Sequence, residues 1–268
     1  MPTVAANPLP IEPPAIEVYP GAQSVSRALA LLKCFSDAQP EWTLGDLAQR
    51  VGLNKATAHR LLAALESEGF LVRSAGGGYR LGPELIALGG SAMRSNDLRT
   101  VARPILAELA EATGETATLE VLSGNEVVIL DEVGSRHLLG LSQDVGARLP
   151  AHATSTGKLL LAFAPAAALT AALRTPLRRL ADCTVTSAHT LREHFAAIRA
   201  EGYAITLDEL ENGFAAVAAP VRDFSGSVVA SVSVGGPGSR LAGPALAEAL
   251  RQTMQAASEI SQQMGHCP

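Results

Sequence analysis

Cysteine is scarce in this chain: Cys34, Cys183 and Cys267 are spread over 268 residues, odd in number and without ligand spacing. That pattern excludes a disulfide framework and a thiolate metal cluster, and it suits a reducing cytoplasm. Aromatic residues make up only 4% of the chain, yet 47% is hydrophobic and 18% charged, ample for globular cores. No run of about 18 apolar residues occurs, so no membrane span is expected. Residues 1–20 lack the basic and apolar regions of a secretory signal. They carry six prolines and few core formers, the composition of a disordered tail. Positive charge is also short: the net charge is −5, which argues against nucleic-acid binding by the molecule as a whole. There is no internal repeat, and the length suits one large domain or two ordinary ones.

Local charge tells a different story. No acid falls between Asp46 and Glu66, while Arg50, Lys55, His59 and Arg60 all do, as a phosphate-facing surface requires. Over residues 42–82, Arg50, Lys55, Arg60, Arg73 and Arg80 stand against Asp46, Glu66 and Glu68, a local excess of +2. Thr43 can cap a helix, with Asp46 in the capping-box position. Leu44, Leu47, Ala48 and Val51 then follow at the spacing of one buried face, and Gly52 stops the helix. A second helix starts at Asn54, a favourable N-cap, and runs to Gly69. Ala58, Leu61, Leu62 and Leu65 share its inner stripe; Ala56, His59, Arg60 and Ala63 fall opposite, flanked by Lys55 and Thr57. Residues 70–74 read as a strand, Gly76, Gly77 and Gly78 as a tight turn, and 79–81 as the returning strand. An opening helix over 24–36, capped by Ser24 and holding Cys34 in its apolar side, completes a three-helix core. The ordered set is that of a winged helix-turn-helix, which places one helix in the DNA major groove. The bland alternative is an amphipathic helical hairpin with solvated arginines.

The rest of the chain has another rhythm. Residues 83–97 read as a linker helix with Pro83 at its first position, and 98–112 as an amphipathic helix closed by Gly114. Strands are expected at 115–122, 126–133, 138–142, 203–208, 214–221 and 227–234. Helices are expected at 155–163, 165–173, 190–201 and 242–264. Because strands and helices do not alternate strictly, the class is α+β, with an antiparallel sheet flanked by helices. The domain plan is a tail over 1–20, a DNA-binding domain over 21–82, the linker over 83–97 and a second domain over 98–268.

Two motifs here invite enzyme readings. Residues 152–158 fail as a P-loop, since His152 holds the first glycine position and Leu159 follows Lys158. Ser155 and Lys158 fit the S-x-x-K of serine acylases, but the companion elements are absent. His152 reads as a structural histidine. Asp208, Glu209 and Glu211 read as a solvated turn or as one carboxylate orienting a loop. No catalytic residue, cofactor or metal site is assigned.

The chain resembles the IclR-type transcriptional regulators. The resemblance rests on LxxLAxxxGLxxxTxxRLLxxLxxxG at 44–69 with the wing and GYRLG, then GARLPAHATSTGKLLLA, GYAITLDELENGFAAVAAPV and VVASVSVGGP, in that order from about Ser24 to Pro237. It implies a GAF-like effector domain behind the winged helix, a homodimer or dimer of dimers, a double-stranded DNA operator, and control of genes by a small metabolite. It also favours repression. The DNA-binding set is then Thr43, Asn54, Lys55, Thr57, His59, Arg60, Arg73 and Arg80. Lys55 and Thr57 meet phosphates, His59 and Arg60 face the groove, and Arg73 and Arg80 clamp the wing. Ala56 stands where the family often has serine.

Carried over residue by residue, the effector-binding positions are Leu138, Ser155, Thr156, Thr206, Ala216, Ser233 and Gly235. Members that sense small oxoacids show an aspartate, a cysteine and a second serine where this chain has Thr206, Ala216 and Gly235. That implies a roomier, less polar floor and a carboxylic or aromatic effector larger than glyoxylate, with Ser155, Thr156 and Ser233 donating hydrogen bonds. Two rival functions stay open at this point: a protein-binding winged-helix scaffold, and a hydrolase using Ser155 and Lys158.

Overall fold

A computed structural model describes residues 22–36, 38–94, 97–135 and 144–267. The expected tail over 1–20, Leu138 and the strand at 138–142 lie outside them. The chain divides into two compact units, Met1–Ser95 and Asn96–Pro268.

The first unit holds α1 (Gln23–Leu32), α2 (Leu44–Val51), α3 (Lys55–Ser67), the hairpin β1 (Leu71–Arg73) and β2 (Tyr79–Leu81), and α4 (Pro83–Arg94). Leu31, Leu47, Leu62, Leu71 and Tyr79 are buried together at its centre. The caps behave as local chemistry dictates. Thr43 Oγ1 accepts from the Asp46 N–H at 3.2 Å and donates to the Asp46 carboxylate at 2.8 Å. Gly52 ends α2 at φ +68°, and Asn54 Oδ1 accepts from the Thr57 N–H at 2.8 Å to open α3. Thr43→Ala removes the first of these caps and is expected to cost about 1 kcal/mol, read as a lower urea midpoint for this unit.

The opening helix differs from expectation. It starts at Gln23 with Ala22 as a cap lacking any side-chain bond, so Ser24 does not cap it, and it ends at Leu32. The Trp42 indole N–H donates to the Cys34 carbonyl at 3.1 Å, and the Cys34 N–H turns back to Leu31. Cys34 therefore sits in the turn after the helix, half-buried, with burial pushing its thiol up. Trp42 also exchanges backbone hydrogen bonds with Tyr79, adding a one-residue antiparallel bridge to β2 of the wing.

The second unit is built on a six-stranded antiparallel sheet. Its members are β3 (Thr116–Ser123), β4 (Glu126–Val133), β5 (Arg148–Pro150), β6 (Ala204–Leu207), β7 (Phe214–Arg222) and β8 (Val228–Pro237), ordered β5-β4-β3-β8-β7-β6. One face packs on α5 (Asp97–Thr113) and α9 (Gly243–Gln263). The other carries α6 (Ser155–Phe163), α7 (Ala166–Arg174) and α8 (Ala188–Glu201). β5 and the 3-10 turn Ala151–Ala153 that leads into α6 have no counterpart among the expected elements.

Side-chain alternation sorts the strands between the two faces. Ala117 and Leu119 of β3, Ala215, Val217 and Ala219 of β7, and Val232 and Val234 of β8 make the core under α5 and α9. Their neighbours in sequence therefore face α6. This is the α+β architecture with an antiparallel sheet flanked by helices.

Candidate functional site

On the first unit, α3 exposes Lys55, Ala56, His59, Arg60 and Ala63 and buries Ala58 and Leu62, so a basic face is presented to solvent. Thr57 is half-buried. Thr43 and Asn54 are exposed, but their side chains are engaged as caps, and the Thr43 hydroxyl hydrogen is committed to Asp46.

The two wing arginines do not share a face of the hairpin. Arg73 lies opposite Tyr79 in the hairpin register, whereas Arg80 lies opposite Val72, so they project from opposite faces. Arg73 folds onto its own module: its guanidinium sits 4.1 Å from the Tyr79 ring centroid and its Nε 3.3 Å from Glu66. Arg80 is exposed.

On the second unit, the α6 face of the sheet carries a partly open cavity of about 40 Å³. The register explains its walls. Thr116, Gly235, Ala216 and Thr206 are paired in one row across β3, β8, β7 and β6. Thr118 and Ser233 are paired in the next row. Thr154, Ser155 and Thr156 close the space from the start of α6, where Thr154 Oγ1 caps the Gly157 N–H at 3.1 Å. A Cβ on Gly157 would collide with the Ala151 backbone, so glycine is what lets this end of α6 sit against the 3-10 turn. Six of the seven sequence-derived effector positions thus line one cavity: Ser155, Thr156, Thr206, Ala216, Ser233 and Gly235. Leu138, the seventh, lies outside the described residues.

The floor differs from the expected one. A Cβ on Gly235 would come 2.7 Å from Phe214 Cζ, so the room that glycine opens is taken by that ring. Nor is the cavity depleted of carboxylate. Glu120, 4% exposed on β3, accepts from Thr118 Oγ1 at 2.7 Å and from Thr156 Oγ1 at 2.6 Å. Burial pushes its carboxyl up, while the hydroxyls of Thr156 and Thr118 pull it back down. Thr116, Thr118 and Glu120 were missed in the sequence, although the signal was there: polar residues at period two on a strand whose alternate positions are Ala117, Leu119 and Val121.

The hydrolase reading fails on geometry. The Lys158 ammonium, which would have to activate Ser155, is held by Glu209 Oε1 at 2.6 Å and lies 3.3 Å from His194 Nδ1. Glu209 is buried rather than part of a solvated turn. Asp208, the neighbouring acid, accepts from the Gly213 N–H at 2.5 Å and shapes that loop. His152 is buried with Nε2 2.9 Å from the Arg178 carbonyl, a structural histidine whose burial lowers its basicity.

These two surfaces match known proteins over both units. The family model for the IclR helix-turn-helix domain matches residues 24–75, and that for the bacterial transcriptional regulator IclR C-terminal matches residues 90–262. The chain belongs to the IclR family. It is 33% identical to the transcriptional repressor IclR of Escherichia coli K12, with 92% of this chain and 93% of the relative covered. It is 37% identical to the glycerol operon regulatory protein of Streptomyces griseus, covering 91% and 96%. An IclR homolog from Microbacterium hydrocarbonoxydans, solved in complex with 4-hydroxybenzoate, superposes with a TM-score of 0.75 at 29% identity, covering 90% of this chain and 98% of that one. As an IclR-family member, the protein is a transcriptional regulator with a DNA-binding helix-turn-helix and an effector-binding C-terminal domain. No helix among the described residues is long and apolar enough to cross a membrane.

Proposed function

We propose that this chain is a sequence-specific repressor whose operator affinity is set by a small carboxylic or aromatic effector in the α6-face cavity. The observation that carries the reading is the convergence of Ser155, Thr156, Thr206, Ala216, Ser233 and Gly235, from three separate sequence motifs, on one cavity. The 4-hydroxybenzoate held by the Microbacterium homolog supports the ligand class. The first backbone N–H groups of α6 supply donors for an acid or carbonyl group.

On the DNA side, His59 and Arg60 enter the major groove, Lys55 and Thr57 meet phosphates, and Arg80 holds the wing to the backbone. Thr43 and Asn54 contribute by fixing the starts of α2 and α3. The protein works as a homodimer or dimer of dimers, so two α3 helices read two half-sites. α1 exposes Val25 and Leu29, and α4 exposes Ile86 and Leu88, apolar surface of the kind a second copy covers. The segment 83–97 carries the signal, and the effector shifts DNA affinity only through its differential affinity for two arrangements of the chain.

A mobility-shift assay on the DNA upstream of the protein's own gene, at 50 and 200 mM salt, tests the core of this reading. Binding that falls roughly 10-fold or more between the two salts is expected from several phosphate contacts. Affinity that is absent, or indifferent to salt, would turn the reading toward a winged helix that binds protein.

A further inference from the structure

Around Glu120, the cavity turns hydrogen-bond acceptors toward its occupant. Thr118 Oγ1 and Thr156 Oγ1 each donate to one of its carboxylate oxygens. A hydroxyl owns a single hydrogen. Thr118 has committed its own to Glu120, so in the 2.8 Å contact between Thr118 and Ser233 the donor is Ser233. Thr156 and Ser233, expected from the sequence to donate to the effector, are therefore committed within the protein and offer it lone pairs. Each Glu120 oxygen keeps acceptor capacity beyond its threonine. Glu132 lines the same space, and none of the described lining residues is Lys, Arg or His.

Resting on the effector reading above, we infer that Glu120 contacts the effector directly and receives a hydroxyl or ammonium hydrogen from it. The preferred effector then carries such a donor in addition to any acid group. At Glu120 itself, a bare acid would set its own oxygens against a buried carboxyl and two committed hydroxyls, leaving acceptors facing acceptors there. A donor supplies what the surroundings of Glu120 lack. It also acts in the same direction as the Thr118 and Thr156 hydroxyls, which offset part of the rise that burial imposes on the Glu120 carboxyl. Burying an acid beside a cavity is costly unless its oxygens are matched, and the effector's hydrogen completes that matching.

Isothermal titration of the full chain with two matched sets tests this: benzoate beside 4-hydroxybenzoate, and propionate beside lactate and 3-aminopropionate. In the wild type, a donor-bearing member of at least one set should bind about 10- to 100-fold more tightly than its bare acid. In Glu120→Gln that ratio should fall to about 1, because the amide places a donor where an acceptor stood. A residue that only supports the fold would move both members of a set together and leave the ratio unchanged. If the glutamine variant does not fold, Glu120→Asp, which keeps the charge but retracts it by a methylene, should still lower the ratio.

Bare acids that bind the wild type as tightly as their partners, or a ratio that survives in both variants, would overturn the role of Glu120 while leaving the effector class standing. Absence of binding by every compound would overturn the effector class and this inference with it. The mobility shift, which needs none of these compounds, would still judge the DNA reading on its own.

Discussion

Lys158→Met is expected to destabilise the C-terminal unit by about 3–5 kcal/mol, the cost of breaking a buried ion pair from one side. Lys158 is 1% exposed and Glu209 7% exposed, so neither charge has water to fall back on. Burial lowers the basicity of Lys158, and the hydrogen bonds to Glu209 are what hold it charged. Methionine fills most of the lysine's volume but leaves the Glu209 carboxylate uncompensated beside His194. The double variant Lys158→Met with Glu209→Leu should recover most of the loss, because a buried pair replaced on both sides is often close to neutral.

Urea denaturation of the full chain, following the transition of the larger unit, measures both variants. A loss under about 1 kcal/mol in the single variant would mean that water reaches the pair. The functional consequence follows from position. Lys158 lies within one turn of Ser155 and Thr156 on α6, and it pins that helix to the loop after β6, which supplies Leu210 to the cavity. Thr184 Oγ1 holds the same loop by donating to the Glu209 carbonyl at 2.6 Å. Releasing the pair should therefore loosen the cavity as well as the fold, and effector binding should weaken together with the urea midpoint.

What could be read from the chain, and what could not, divides by sequence distance. The caps at Thr43 and Asn54 and the stop at Gly52 are satisfied within three or four residues, so their chemistry is visible in a short window. The bounds of α6, 155–163, and of β4, 126–133, coincide with expectation for the same reason. The end of α1 escapes such a window because Trp42, eight residues beyond Cys34, decides where the chain turns.

The chemistry of the cavity depends on longer reaches still. Thr156 meets Glu120 from 36 residues away, Lys158 meets Glu209 from 51, and Thr118 meets Ser233 from 115. Period-two polarity on β3 marked that strand as lining something, but not which hydroxyl would give its hydrogen to which acid. The family resemblance located the cavity through Ser155, Thr206 and Ser233. It could not reveal Glu120, because none of the motifs that carry it includes that residue. The wing shows the same limit: two arginines on two strands read as a pair until the register set them on opposite faces.

Arg60→Ala should weaken specific operator binding by about 1–3 kcal/mol and relax sequence preference at one base position of each half-site. The expectation rests on three features of α3. Arg60 is exposed, it shares a face with His59 and Ala56 directly opposite the buried Ala58 and Leu62, and that face carries no acid over two turns. Ala56, lacking a side chain able to reach base or phosphate, leaves more of the discrimination to Arg60. Lys55→Ala makes the contrast: with one fewer phosphate neutralised, affinity should fall by a similar factor on all sequences and the salt slope should drop by about 1. Arg73→Ala should change operator affinity least of the three, because that guanidinium is already occupied by Glu66 and the Tyr79 ring. Competition titrations against operator and scrambled duplexes, at two salt concentrations, separate these outcomes. An Arg60→Ala variant that loses affinity equally on both duplexes would move Arg60 to the phosphates, and base readout would then fall to His59.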